Sequence, residues 1–467
     1  MPLKILFAAT ECAPFIKVGG LADFVASLAK ELKNLGLDVR IVIPFYQKIQ
    51  KEELNFISDF YLDKERIAIW QGFLPKTEIP VYFLENKNYL TKGEIYPPFD
   101  DFNGIKKFLF FSKTVLEIFK KINWQPEIIH CNEWETAFVI PLLKIKDRKS
   151  KVKNILTIHN LSLQGKWNAK EVFNFLKLKG DEIGSLKIRD RDNDLNILEQ
   201  GILNSDIVTT VSPTYSKEIL TKEYGEGLEE DLKKKKPVGI LNGIDNEIFN
   251  PETDPNLKAN YSQKNFENKK INKIDLQEIL NFKKDEKIPL AGFISRLVRQ
   301  KGLDLFEKVI PDFVKIGLQV VFLGMGEKKY EKMLFNFSKK YPKNISVNIK
   351  FDPVLAQKIY GGADFILMPS LFEPCGLVQM IAQRYGTIPI ARKTGGLSDT
   401  IEDGKTGFLF EKYNTFEFLK AIKRGIFAFR DKSIWKKMVK RAMEKDFSWK
   451  KSAKKYLSLY KKLINGL

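Results

Sequence analysis

A chain of 467 residues is too long for one ordinary domain, and 44% hydrophobic residues, including 36 Phe, supply ample material for two or three cores. Three cysteines, Cys12, Cys131 and Cys375, without a C-x-x-C spacing exclude a disulfide framework and a zinc cage, and no apolar run approaches the ~20 residues that span a bilayer. The formal charge of +20 is concentrated late, residues 411–467 holding 17 Lys+Arg against 5 Asp+Glu; no nucleic-acid module accompanies it, so the surplus reads as solvated helical faces.

The opening residues lack the cationic region and cleavage site of a signal peptide, so a cytoplasmic protein is expected. Lys4–Ala9 reads as a buried strand, and Thr10–Gly20 as a loop carrying Lys17-Val18-Gly19-Gly20. Leu21–Gly36 reads as a helix with Leu21, Phe24, Val25, Leu28 and Leu32 on one face and Gly36 as its stop. Val39–Ile43 is the next strand. Residues 50–100 mix short strands such as Val81–Leu84 with turns, and no element order emerges from them. Glu127–His130 is a strand running into His130-Cys131-Asn132-Glu133-Trp134. Lys153–Ile158 is another, running into His159-Asn160, so the two histidines of the chain both follow strands. Ile207–Val211 precedes a helix start at Ser212-Pro213, and Ile240–Asp245 reads as the last strand of this half with its exit turn. Asp190, Asp192 and Asp194 resemble a metal-binding D-x-D, but their hydrophilic setting reads as a solvated loop.

At Pro289 the β-α-β pattern restarts. Leu290–Ser295 is a strand, Arg296–Gly302 a loop with Arg296 and Lys301, Leu303–Ile316 a helix and Leu318–Leu323 a strand. Two strand–loop–helix units follow in tandem over Ala363–Thr400. The first breaks at Leu371–Gly376 and holds Glu373; the second ends in Lys393-Thr394-Gly395-Gly396. Strand C-termini facing helix N-termini are where open α/β sheets take ligands and where backbone N–H groups hold anions, although ordinary β/α turns look the same. The expected fold is therefore α/β, with two Rossmann-like doubly wound domains facing each other across a deep cleft. Residues 1–250 form the first domain, 251–288 a linker, 289–447 the second domain, and 448–467 a helix packing back across the domains.

Lys17, Arg296 and Lys301 are cations on loops after strands, Gly19, Gly20, Gly395 and Gly396 can present bare N–H groups, and Glu373 can accept from hydroxyls. A nucleotide sugar suits that set, but phosphatases or kinases could share it.

At these residues the chain resembles bacterial glycogen synthases and plant starch synthases, retaining glucosyltransferases of the two-Rossmann-domain GT-B type. The matches are Lys17–Asp23, Thr157–Leu161 with Gln164-Gly165, Thr210–Tyr215 and Ile240–Asp245. They continue in order through Ser295–Leu297 with Gln300–Asp304, Phe372–Leu377, Tyr385–Thr387, Thr394–Leu397 with Asp399-Thr400, and Phe447–Trp449. The resemblance implies transfer of glucose from ADP-glucose to the non-reducing end of an α-1,4-glucan, with retention and without a metal or other cofactor. A UDP-glucose-dependent relative or a silent glucan- or nucleotide-binding protein is the alternative. It implies catalytic roles for Glu373, Lys301, Arg296 and His159. Donor contacts are implied for Lys17, Gly19, Gly20, Asp23, Asn160, Cys375, Gly376, Leu377, Gly395 and Gly396, with Phe351 against the adenine. The partners implied are ADP-glucose and glucan, with no nucleic acid and no membrane span. One motif departs: the family's His-x-His-Asp-Trp stands here as His130-Cys131-Asn132-Glu133-Trp134, and no catalytic role is assigned to it. In a second segment, Glu199-Gln200 stands where the family tends to carry a lysine.

Overall fold

The computed structural model describes residues 1–98, 101–188 and 193–466; Asp190 and Asp192 of the D-x-D lie outside them. The chain forms two compact units, residues 1–242 with 449–467, and residues 243–448.

The first unit is built on nine strands of a mixed sheet. They are β1 (Lys4–Ala8), β2 (Asp38–Pro44), β3 (Asn55–Leu62), β4 (Glu65–Phe73), β5 (Pro80–Glu85), β6 (Ile128–Asn132) and β7 (Lys153–Ile158). A separate small hairpin pairs β8 (Lys166–Asn168) with β9 (Asp194–Asn196), and β10 (Ile207–Thr210) and β11 (Val238–Gly239) complete the sheet. The spatial order is β11-β10-β7-β6-β1-β2-β5-β4-β3, parallel except for the β3–β4–β5 meander at one edge. The chain leaves β1 toward β2 and later returns to β6 on β1's other side. The loops after β1 and β6 therefore open at a topological switch point, where a crevice forms between diverging connections. β1 and the helix Gly20–Asn34 form as their patterns dictate. Leu21, Phe24, Val25, Leu28 and Leu32 are buried, and Gly36 ends the helix at φ +89°, a backbone state that favours glycine. The last helix, Trp449–Asn465, buries Trp449, Ala453, Tyr456 and Tyr460 in this same core, with the Trp449 and Tyr456 rings edge-on to Phe24.

The second unit has a six-stranded parallel sheet of β12 (Leu290–Ile294), β13 (Gln319–Leu323), β14 (Ile345–Asn348), β15 (Phe365–Met368), β16 (Ile388–Arg392) and β17 (Phe408–Phe410). Its order, β14-β13-β12-β15-β16-β17, again reverses beside its first strand, so the loops after β12 and β15 share a second switch point.

Two expectations are corrected, and one stretch without a stated order is resolved. The last strand of the first half lies at Val238–Gly239 rather than at Ile240–Asp245. Residues 50–100, unordered by pattern, hold the meander, whose outer strand is half in solvent and so loses its apolar alternation. Residues 251–288 are not a linker but part of the second unit, with a helix at Lys269–Ile279. Their polar composition is misleading because the polar groups are buried and paired. Asp254 accepts from Tyr385 Oη at 2.6 Å, Lys273 meets Asp364 at 2.6 Å, and Asn272 bonds both ways with the Ala259 backbone. Among the described residues no helix is long and apolar enough to cross a membrane, and no cluster of His, Cys, Asp and Glu could hold a metal ion.

Candidate functional site

In the first unit the switch point gathers the loop after β1, the turn after β6 and the end of β7. The loop after β1 is hung on Glu11, a nearly buried carboxylate the motif reading passed over. Glu11 Oε2 accepts from Val18 N and from Gly19 N (2.9 Å), and its Oε1 from Tyr96 Oη. The Gly19 N–H is thus committed inside the protein rather than bare. Lys17 Nζ reaches Asp23 Oδ1 at 2.8 Å, and both side chains are partly open to solvent. A Cβ built on Gly19 would meet nothing within 4 Å, so the open side of this loop is free for a ligand. Gly20 starts the helix that carries Asp23.

Glu133 has the same task after β6. Its backbone sits at φ +62°, a left-handed state costly for a residue with a side chain, and its carboxylate is buried. Oε1 accepts from His159 N and from Asn160 N (2.9 Å), fixing the turn after β7. Burial raises the Glu133 carboxyl well above the usual carboxylate range, and it raises neighbouring Glu135 likewise, with Glu133 and Glu11 adding to the latter. The His159 ring packs edge-on to Phe24 at 4.6 Å. Asn132 Nδ2 donates to Ala8 O and His130 O, so its Oδ1 faces His159 and takes the Nε2–H at 3.1 Å. This fixes the tautomer and leaves Nδ1 the lone pair. Burial lowers the His159 pKa to about 3, keeping the imidazole neutral. His130 is structural: Nδ1 pairs with Tyr460 Oη at 2.7 Å and Nε2 with Thr157 Oγ1 at 2.5 Å, and burial, then His159, lowers its pKa to about 3. Trp134 packs on Gly165, whose φ of +61° and missing Cβ make room for the indole. Asn242, buried at the end of this segment, leaves its Oδ1 without a partner among the described residues. Its place inside the Ile240–Asp245 motif was the signal that could have singled it out.

In the second unit the switch point brings Lys301 and Glu373 into direct contact, Nζ to Oε2 at 2.6 Å and to Oε1 at 2.9 Å. Ser370 Oγ donates to Oε2 at 3.0 Å. Both residues line a cavity of about 90 Å³ with Ser295, Gly376 and Leu377. Gly302 lets the Lys301 loop sit on the β15 exit: at φ +82°, any Cβ would run into the Pro369 carbonyl. Arg296 is exposed, with no ion pair among the described residues. Phe351 presents 82% of its surface to solvent. Cys375 is buried, and its carbonyl takes Gln379 Nε2 at 3.0 Å. Gly395 and Gly396 do not both offer bare N–H groups, because Gly396 N donates to Glu373 O at 3.1 Å. They are glycines because a Cβ would strike the Glu373 carbonyl from Gly395 and the Cys375 carbonyl from Gly396. The arrangement can hold a diphosphate on cations and offer a carboxylate to hydroxyls.

The chain matches known proteins along nearly its whole length. Residues 4–234 match the family described as the starch synthase catalytic domain, and residues 275–442 match glycosyl transferases group 1. The chain is 43% identical over 482 residues to a glycogen synthase of Desulforamulus reducens, covering 99% of this chain and 100% of that one. It is 42% identical over 483 residues to a glycogen synthase of Alkaliphilus metalliredigens, with 99% and 100% covered. Among solved structures it is similar to the catalytic domain of starch synthase IV from Arabidopsis thaliana, bound to ADP and acarbose. That match has a TM-score of 0.90, 34% identity and 100% coverage of both chains.

Proposed function

Because the chain belongs to the glycogen and starch synthases, we propose that it transfers glucose from ADP-glucose to the non-reducing end of an α-1,4-glucan, with retention of configuration. Its two α/β units make up the two-domain GT-B-like fold of such hexosyltransferases. The observation that carries the reading is the Lys301–Glu373 pair at the second unit's switch point, with the unpaired Arg296 on the same loop as Lys301.

Lys301 has three N–H donors, so it can turn toward a phosphate while Glu373 takes the hydroxyls of the transferred glucose. The bond from C1 to the phosphate oxygen breaks with its electron pair going to the diphosphate, whose new charge Arg296 and Lys301 neutralise. The acceptor hydroxyl attacks C1 from the face the phosphate leaves, and its proton passes to the departing phosphate oxygen. The exposed Phe351 ring supports adenine as the base. In the first unit, neutral His159 and the Lys17–Asp23 loop are the groups that unit's own switch point offers to a ligand. No metal is needed in this scheme, since the cations do the neutralising.

The test is ADP release on mixing the protein with ADP-glucose and glycogen, in the presence of excess EDTA, with UDP-glucose as the comparison donor. Turnover with ADP-glucose is expected, falling ~10²-fold or more in Lys301→Ala and Glu373→Ala, the scale of losing one stabilising group. No turnover with either donor would leave a silent binding protein.

A further inference from the structure

The second unit carries another cavity, of about 810 Å³, which none of the residues assigned above lines. It lies among the start of the helix Lys269–Ile279, the turn before β12, and the junction of the helices Thr415–Arg430 and Lys432–Met443. Seven Lys and Arg side chains line it against three acidic ones, a formal surplus of four, to which Lys269, its pKa lowered to about 7 by burial, contributes only in part near neutral pH. Two of the cations are accounted for, Lys273 by Asp364 at 2.6 Å and Lys436 by Glu267 at 2.9 Å. Lys269 spends its ammonium on neutral oxygens, those of Tyr360 (2.9 Å), Gly361 (3.0 Å) and Thr387 (2.7 Å). The other four, Lys270, Lys287, Arg430 and Lys432, have no ion pair or side-chain hydrogen bond among the described residues.

These cations come from separate elements and converge on one concavity, which distinguishes them from the solvated face of a single helix. Like charges so gathered repel one another and favour an anion. The helix Lys269–Ile279 worsens the balance, since its first turn holds no acidic residue to offset the positive end of its dipole. One wall is apolar: Phe429 and Trp435 meet edge to face at 5.3 Å. The volume falls in the range of small-molecule sites, roughly 300–1,000 Å³. A single phosphate, with charge near −2 at most, would leave about half the surplus unbalanced.

We propose that this cavity binds a small metabolite bearing two or more phosphoryl groups, held by Lys270, Lys287, Arg430 and Lys432 with Trp435 against its uncharged part. Calorimetric titration of the full chain with pyrophosphate, with a hexose bisphosphate and with a nucleoside triphosphate separates the possible sources, each with and without saturating ADP. At least one probe is expected to bind one-to-one with a Kd below about 1 mM in the presence of ADP. The triple variant Lys270→Ala/Arg430→Ala/Lys432→Ala should weaken it tenfold or more while ADP release and melting temperature stay unchanged. If that variant does not fold, Lys432→Gln at its exposed position should still weaken binding severalfold. The proposal is overturned by no binding of any probe, by binding that ADP abolishes, or by binding that the variants leave intact. Should ADP itself not bind, the two arms coincide and the variants alone decide.

Discussion

Glu133 is, with Asn132, one of two positions where this chain departs from the motif of the family it resembles, and its added methylene has a visible use. The longer side chain, launched from a left-handed backbone, turns to accept from the His159 and Asn160 amides. In Glu133→Ala both donors lose their acceptor, at about 1–3 kcal/mol each. Glu133→Gln keeps an acceptor oxygen and should retain most of the activity and melting temperature that Glu133→Ala loses. Parent-like activity and melting temperature in Glu133→Ala would show that the carboxylate does not hold this turn. Since burial raises the folded-state pKa, the protonated form is favoured on folding, and this contribution to stability fades as pH rises through the raised value. Glu133→Gln should therefore flatten the decline in stability between about pH 4.5 and pH 8. The histidines act with the opposite sign. Each is lowered to about 3, so the unfolded chain binds the extra proton and stability is lost as pH falls below about 6.5. One such group contributes up to about 1.4 kcal/mol per pH unit between those limits. Because Glu133 and Glu135 tilt the other way, the readout is a difference in denaturation free energy. The acid-side slope of His130→Gln should be smaller than that of the parent by up to that amount, and matching slopes would refute the assignment. That the motif departed from the family was legible from the residues alone. That Glu133 would catch amides 26 and 27 positions away was not, because the contact exists only once β6 and β7 lie side by side.

At the scale of elements, glycines decide how closely the site loops approach. Gly302 has a φ of +82° and no room for a Cβ beneath the Pro369 carbonyl. Gly302→Ala must therefore push the Lys301 loop off β15, parting Lys301 from Glu373. Turnover should fall at least ~10-fold through kcat, with a stability loss of roughly 1–3 kcal/mol from the strained backbone. Unchanged kcat would mean the 2.6 Å pair is not needed for chemistry. The buried parallel strands and their exit loops were readable because their apolar runs stop at Gly, Lys and Glu. Of the β3–β4–β5 meander only β5 was readable, as the apolar run Val81–Leu84; β3 was not, since Phe56, Ile57 and Tyr61 stay exposed on it. Glu199 and Gln200, where the family tends to carry a lysine, were equally opaque. Lys187, from an earlier loop, reaches Glu199 at 3.0 Å and bonds Gln200 through its backbone. Its ammonium also meets Asp231 at 2.7 Å, so it is spent on two carboxylates.

At the scale of the molecule, the same reversal of strand order beside a first strand occurs twice, yet the two units differ in how the chain closes them. The second is one continuous stretch, residues 243–448, with its own core. The first is closed only when residues 449–467 return to it and bury Trp449, Tyr456 and Tyr460. Burying three such aromatic side chains is worth roughly 1.5–3 kcal/mol apiece. Together with the Tyr460–His130 bond, that is comparable to the entire stability of a typical domain, about 5–15 kcal/mol. The polar composition of 251–288 hid the first boundary, whereas the last helix was legible, since Ala453, Tyr456 and Tyr460 fall on one face with lysines on the other. A fragment of residues 243–448 should accordingly fold alone, with a cooperative melt and native near-ultraviolet dichroism. Residues 1–242 alone should melt without cooperativity or aggregate, and adding a 449–467 peptide should restore a transition. A sharp, peptide-independent melt of 1–242 would show that the returning helix is an ornament on an already complete core.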